Sequence, residues 1–306
     1  MELQKGDRVK NRKILDWGLG QILDSLGRDN YEIFFVNVGV KEVKATVADL
    51  VKITGKEAQH PLLDNLRLPG QNKKAEYKTF HEKVTLFLRI FPKGFYDDKY
   101  LKQERDYKVE AHNLMLSLLD EKQFSKRIEA DKYDEICKDA LRVVNKTNLI
   151  FPNEKMALKD GLQTSESRRQ FAMSLHGLLY RNGEMSKRFK EFAGCLESLN
   201  ASKWTIQTYF PFIAFPDEHM FMKPSVTQLA ADAFAFELNY KSDLNWNSYE
   251  SLLKLSRYVS EELAKYEDYL RPRDMIDVQS FMWCSAPGKK SQGIHKQENS
   301  QTLGDD

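Results

Sequence analysis

The residues with the most chemistry per position run from Arg271 through Arg273, Asp274, Asp277, Gln279, Ser280 and Phe281 to Trp283. Asp274 and Asp277 are three apart, so a helix starting there carries both carboxylates on one face, where the helix dipole favours acids. A carboxylate pair facing Arg273 or Lys223 would move a proton or grip a polar substrate, which makes Asp274 and Asp277 the chain's weak catalytic candidates. The blander arrangement is a capped helix with an ion pair fastening it to its neighbours. Capping alone accounts for Asp274. The stretch from Trp204 to Pro224 adds Trp204, Tyr209, Phe210, Phe212, Phe215 and Phe221, with Lys223 at its end. Trp204, Lys223, Arg273, Gln279 and Trp283 are the residues of a candidate pocket in which rings would stack on a base. The competing use of these rings is a core joint between helices.

Near the N-terminus Arg8, Lys10, Arg12 and Lys13 precede Trp17. Such a set suits phosphates or an acidic partner, with the indole as a platform. Lysine and arginine also guard edge strands against aggregation. The first 56 residues hold ten Lys and Arg against eight Asp and Glu, a weak bias. Ser186-Lys187-Arg188-Phe189-Lys190, with Arg168 and Arg169 upstream, reads as a solvated helix face with Phe189 and Phe192 turned inward. Glu42-Val43-Lys44 downstream of Asp29, and Glu76-Tyr77-Lys78, match a nuclease-type E-x-K spacing that a chain with 30% charged residues produces by chance. His219 beside Glu218 reads as a surface residue. The spacing yields no Ser/His/Asp or Cys/His set, no phosphate-cradling G-x-x-x-x-G-K-[ST], and no cofactor signature.

The 306 residues are 41% hydrophobic, which excludes a disordered chain. Lys and Arg number 47 against 45 Asp and Glu, so a net charge of +2 exerts no bulk pull toward nucleic acid or membrane. Cys137, Cys195 and Cys284 are odd in number and far apart, with no CxxC or HxxxH, so neither a disulfide framework nor a structural zinc or other metal site is expected. No run approaches the roughly 20 apolar residues of a membrane span. MELQKGDRVKNRK lacks an apolar signal region. The expectation is a cytoplasmic protein.

These candidates need elements to position them. Residues 1–55 carry about five short β-branched and aromatic runs: Arg8–Lys10, Trp17–Leu23, Tyr31–Val36, Lys41–Lys44 and Leu50–Ile53. Gly27-Arg28-Asp29-Asn30 is a hairpin signal between two of them. This is the pattern of a small barrel. Residues 56–75, broken by Gly55, Pro61 and Pro69-Gly70, read as a linker. From 76 to 285 the apolar spacing is helical. Helices are predicted from Tyr77 to Pro92, over 98–119 and 131–150, and as a pair over 166–198 broken at Arg181-Asn182-Gly183. Others are predicted over 226–238 with Ser225 as N-cap, over 248–270 and from Arg273 to Trp283. Residues 286–306, rich in Gly, Ser, Gln and Asn, read as a disordered tail.

The N-terminal pattern Lys5-Gly6-Asp7-Arg8-Val9, then Trp17-Gly18-Leu19-Gly20-Gln21-Ile22, then Asp49-Leu50-Val51-Lys52-Ile53, resembles a Tudor-like (SH3-like) barrel. Barrels of this kind end UvrD/PcrA-like helicases and form the RNA-polymerase-interacting domains of CarD-like proteins and transcription-repair coupling factors. The same residues are similar to the bacterial DUF3553 family. The resemblance covers 3–54, and it implies an adaptor that docks on RNA polymerase or another protein through an exposed strand or face and does no chemistry. Strand addition at a sheet edge is a sensible mode for it. Segments such as Phe91-Pro92-Lys93-Gly94-Phe95 and Arg273-Asp274-Met275-Ile276-Asp277 look like those that accompany this barrel in uncharacterised bacterial proteins, and imply no activity. The Trp204–Pro224 region is similar to helix-hairpin-helix DNA glycosylases, but residues 201–240 contain no glycine for the hairpin turn.

The function expected is thus an adaptor in nucleic-acid transactions, more in keeping with the sequence than an enzyme. The barrel would dock on RNA polymerase, a DNA-repair protein or DNA, through Arg8, Lys10, Arg12, Lys13 and Trp17, while the helical domain binds a second partner. No membrane and no small-molecule cofactor is expected. The alternative is a repair or defence enzyme, glycosylase- or nuclease-like, with its site in the helical domain.

Overall fold

The computed structural model describes residues 3–68 and 77–285. A small N-terminal antiparallel β-domain is followed by a larger helical region. The disordered-tail expectation for 286–306 lies outside the described residues. The described residues divide into two compact units: 3–68 and 77–90 with Leu229–Glu237 and 284–285, and Phe91–Gln228 with Leu238–Trp283.

Five strands build the first unit: β1 (Arg8–Asn11), β2 (Leu19–Gly27), β3 (Asn30–Phe35), β4 (Gly39–Lys44) and β5 (Leu50–Ile53). Their order is β4-β3-β2-β1-β5, all antiparallel. Alternation turns Val9, Ile22, Tyr31, Ile33, Phe35 and Val43 into one core with Leu3. Gly20 faces Phe35 and Ile33, where a Cβ would lie 2.7 Å from the Phe35 ring. The glycine lets β2 cross the core without a side chain of its own. The β2–β3 hairpin turns through Arg28 and Asp29, both at positive φ, the geometry that matches strand twist in two-residue loops. Asp29 then accepts from the backbone N–H of Thr46 and holds the one-turn helix Ala45–Ala48. That is a structural use, remote from the nuclease spacing. Trp17 lies in a 3-10 turn before β2 rather than in the strand.

The segment expected as a linker is folded as far as it is described. Leu62 and Leu63 are buried, Arg8 reaches Ala58 and Asp64, and Leu66 bridges to Phe236. Tyr77 stands edge-on to Phe34 on the outer face of β3 and donates to the Val36 carbonyl. Helix α1 (Phe80–Ile90) follows a Thr79/Glu82 capping box. It buries Lys83 with Val84 and Phe87.

The second unit holds α2 (Asp106–Leu119), α3 (Glu121–Glu129), α4 (Tyr133–Asn145), α5 (Pro152–Gly161), α6 (Ser165–Tyr180), α7 (Met185–Ser198) and α8 (Trp204–Ala214). After α9 (Pro224–Ala233) it takes up α10 (Trp246–Leu263) and most of α11 (Met275–Ser285). The break at Arg181-Asn182-Gly183 separates α6 from α7 as predicted. Ser225 is not an N-cap. Pro224 opens α9, with the Lys223 carbonyl accepting its first bond. The helix stops at Ala233 because Ala235 turns left-handed and Arg67 and Glu237 make backbone bonds there.

Helix α8 is buried on every side, as a helix apolar all round must be, and packs against α2, α6 and α7. Of its polar groups, Thr208 donates to the Trp204 carbonyl and Gln207 to the Phe189 carbonyl of α7, while Gln207 Oε1 accepts nothing among the described residues. Phe189 and Phe192 are buried on α7, the inward face expected of that basic stretch. No helix among the described residues is long and apolar enough to cross a membrane.

Candidate functional site

Asp274 and Asp277 do come together, in a network the sequence only half reveals. A π-helical turn, Leu101–Arg105, precedes α2 and brings Arg105 to the start of α11. Arg105 donates to both Asp274 oxygens, at 2.8 and 2.7 Å, and to Asp277 Oδ1 at 2.9 Å. Asp277 is fully buried. Its Oδ1 also accepts from the Tyr100 hydroxyl at 2.6 Å and from Arg273 at 3.1 Å. Its Oδ2 accepts the Arg273 backbone N–H and Nε at 2.9 and 2.8 Å. Five donors thus converge on a carboxylate with about four lone-pair directions. No acceptor direction is left for a substrate proton or a metal. Asp274 Oδ1 caps α11 through the N–H of Ile276 at 2.9 Å. Lys108, also fully buried, donates to Gln279 Oε1 at 2.6 Å and Ser280 Oγ at 3.0 Å, with Glu104 at 3.6 Å.

Three cations (Arg105, Lys108, Arg273) meet three carboxylates (Glu104, Asp274, Asp277), so the charges cancel as burial demands. Burial works against the charge of Arg105, but hydrogen bonding to Asp274 and the charges of Asp277 and Asp274 outweigh it and raise its pKa. Burial, with the Asp277 charge beside it, raises Tyr100 well above the ordinary phenol value, so it stays a donor. The arrangement is that of a structural clamp. Among the described residues no group of three or more His, Cys, Asp or Glu is placed to hold a metal ion.

The other candidate-pocket residues do not join this set. Trp204 is buried against Phe189 and Tyr240, with its Nε1 donating to the Lys241 carbonyl, so it offers no face to a base. Lys223 and Trp283 do meet, with Lys223 5.4 Å from the Trp283 centroid and 3.9 Å from that of Phe151. His219 is not on the surface. It is buried, stacked beside Tyr249, and its pKa falls to about 4 through burial and the nearby Arg188.

The N-terminal basic set also splits. Arg8 is consumed internally by Asp64 at 2.8 Å, the Ala58 carbonyl and Gln21. Trp17 is half-buried, edge-on to Phe35 at 5.1 Å, and closes the core. Lys10, Arg12 and Lys13 are exposed and make no ion pair among the described residues. Next to them β5 pairs with β1 on one side only. Its strand and the turn before it border an open groove of about 650 Å³, lined also by Leu3, Asp29, Tyr31 and Thr54.

Sequence reasoning missed Tyr100, Arg105 and Lys108. A signal for Lys108 existed: it falls in the buried row with Ala111, Met115 and Leu119, where a cation needs a partner. It also missed Ile14 and Leu15, two apolar residues between Lys13 and Asp16 in a segment with no strand alternation.

Residues 3–53 match the family described as "Protein of unknown function (DUF3553)". The match covers the five-stranded domain and nothing of the helical one. No curated protein and no solved structure matches the chain.

Proposed function

We propose that the protein is a non-enzymatic adaptor of bacterial nucleic-acid transactions, acting in the cytoplasm. Its β-domain, read as a Tudor-like (SH3-like) barrel, docks on RNA polymerase, a repair protein or DNA. Its helical domain binds a second partner. The observation that carries this reading is the unpaired outer edge of β5 beside an open groove. A free edge of half-buried residues is a site for strand addition. The resemblance of the Gly6-Asp7-Arg8-Val9 and Trp17-Gly18-Leu19-Gly20 motifs to polymerase-docking barrels points the same way.

The enzyme alternative needs Asp274 or Asp277 to act as a base; the acceptor directions of Asp277 are taken by Arg105, Arg273 and Tyr100, and both oxygens of Asp274 are held by Arg105, with Oδ1 also capping α11. The test is affinity capture from nuclease-treated bacterial lysate with the full chain and with Gly20→Val, which forces a side chain into Phe35 and Ile33. RNA polymerase or a repair complex should be retained by the wild type and lost by the variant, while the helical circular dichroism persists. Equal retention by both, or retention of no such complex by the wild type, would overturn the reading.

A further inference from the structure

The loop between β1 and β2 holds two adjacent apolar side chains out in water, whereas the other exposed apolar residues of the β-domain, Leu26, Val40 and Val47, stand singly in the sequence. Leu15 is 70% exposed and Ile14 is 42% exposed. Flexibility does not explain this, because the loop is tied from below. Asn11, only 2% exposed, accepts the N–H groups of Lys13 and Ile14 on its Oδ1 at 3.0 and 3.1 Å. Trp17 and Gly18 donate back to the carbonyls of Ile14 and Leu15. The Asn37 side chain donates to the Asp16 carbonyl at 2.9 Å, and Arg12 N–H bonds the Asp49 carbonyl at the head of β5. A buried amide and two neighbouring strands' ends thus hold an apolar pair outward, beside the Leu50 end of the free edge.

The charges around the pair say what would cover it. Arg12 and Lys13 stand exposed on its N-terminal side, with Lys10 a turn of strand away, and Asp16 stands exposed on the other. None of the three cations is in an ion pair among the described residues. Phosphates of a duplex or a lipid surface attract cations and repel carboxylates at their contact. Here a carboxylate immediately follows Leu15, where phosphates would lie. A protein segment with an apolar row bordered by carboxylates satisfies both sides: its acids meet Arg12 and Lys13, and Asp16 finds a cation or water at the rim.

We propose that the Arg12–Asp16 loop is a preformed docking knob for an amphipathic segment of a partner protein, with carboxylates along one border of its apolar face. This deepens the adaptor reading and rests on it. The knob lies beside the edge of β5 and sets which segment can lie there.

The test titrates the full chain with two fluorescent 15-residue amphipathic helical peptides of identical Leu face. One is bordered by Glu and the other by Lys. The Glu peptide should bind about tenfold tighter than the Lys peptide. Ile14→Ser/Leu15→Ser should weaken it by about tenfold, since central apolar anchors dominate such contacts. Arg12→Glu/Lys13→Glu should invert the preference. These four side chains are surface ones, and unchanged melting of each variant shows that the fold is kept. Equal affinity for the two peptides, or indifference to the Ile14/Leu15 change, would overturn the proposal. So would saturation at lower concentration by a DNA duplex or by phosphatidylglycerol vesicles. In the lysate capture, a partner lost by Gly20→Val but kept by Ile14→Ser/Leu15→Ser would sink the knob and spare the adaptor. A partner kept by both would sink both.

Discussion

Two regions of this molecule hold charge and apolar surface in opposite ways. At the start of α11, Asp277 and Lys108 are fully buried, Arg105 and Asp274 nearly so, and with the part-exposed Arg273 they spend their hydrogen bonds on one another and on neighbouring groups. At the β1–β2 loop, Arg12 and Lys13 have water for a partner, and Ile14 and Leu15 are held where apolar groups ought not to be. The first region has the residue types of an active site and the connectivity of a clamp. The second has ordinary residue types and an apolar exposure that the described fold leaves uncovered. Residue type nominates chemistry, but unsatisfied groups decide where it can happen.

The largest expected effect lies in the clamp. Asp277→Ala strands Arg105, Arg273 and Tyr100 without their shared acceptor, and should cost about 3–5 kcal/mol, read as a fall in the denaturant midpoint of the helical transition. If Asp277 were instead a catalytic base in an otherwise adequate scaffold, stability would barely move. Gly20→Val should follow, at about 1–3 kcal/mol or somewhat more, because the β-domain core has no room beside Phe35 and Ile33. Its loss should appear in the β-domain, seen by amide exchange over β1 to β5, and leave α8 protected.

Lys83 gives a pH-dependent effect. It is fully buried between the Tyr77 and Phe234 rings, bonds the Lys78 carbonyl, and has no carboxylate partner among the described residues. Desolvation lowers its pKa to about 7, with Glu82 opposing and Lys78 adding to the shift. Between pH 7 and the ordinary lysine range the unfolded chain holds a proton that the folded chain does not. Stability contributed by this site therefore rises with pH, by at most about 1.4 kcal/mol per unit. Below pH 7 both states are protonated and the deficit is constant. Subtracting the Lys83→Met curve from the wild-type curve, over pH 6 to 9.5, should isolate that slope. A flat difference would mean Lys83 is neither buried nor shifted as described. The smallest effect on folding belongs to the loop: Leu15→Ser should change stability by under about 0.5 kcal/mol. A larger loss would mean the leucine is part of the core after all.

Much of the β-domain was legible, because strand alternation and the Gly-rich turns are local signals: all five runs became strands, with β2 extended to Gly27. The helices ending before Pro92, at Ile90, and at Tyr180 were legible because local breakers stop them. Helices α3, α5 and α8 were not read as elements, since short amphipathic or uniformly apolar stretches give no clear period. Pro211 inside α8 disguised it further. The clamp was half legible. Asp274 and Asp277 are neighbours in sequence, whereas Arg105 and Lys108 lie about 170 residues away and meet them only through packing. The exposed knob could not be read at all, because loop residues carry no pattern that separates an inward leucine from an outward one.

The most direct test of the central claim, that the β-domain's loop and edge are where the molecule meets its partner, is photocrosslinking from position 15. Full-length chain with a benzophenone amino acid replacing Leu15 is irradiated in nuclease-treated bacterial lysate, with Met156, exposed on α5, as the comparison site. A discrete protein adduct is expected from position 15 and not from 156. Its partner should be identifiable as RNA polymerase or a repair protein. It should be competed away by unlabelled wild type and not by Ile14→Ser/Leu15→Ser. No protein adduct at position 15, or one competed equally by both chains, would contradict the account.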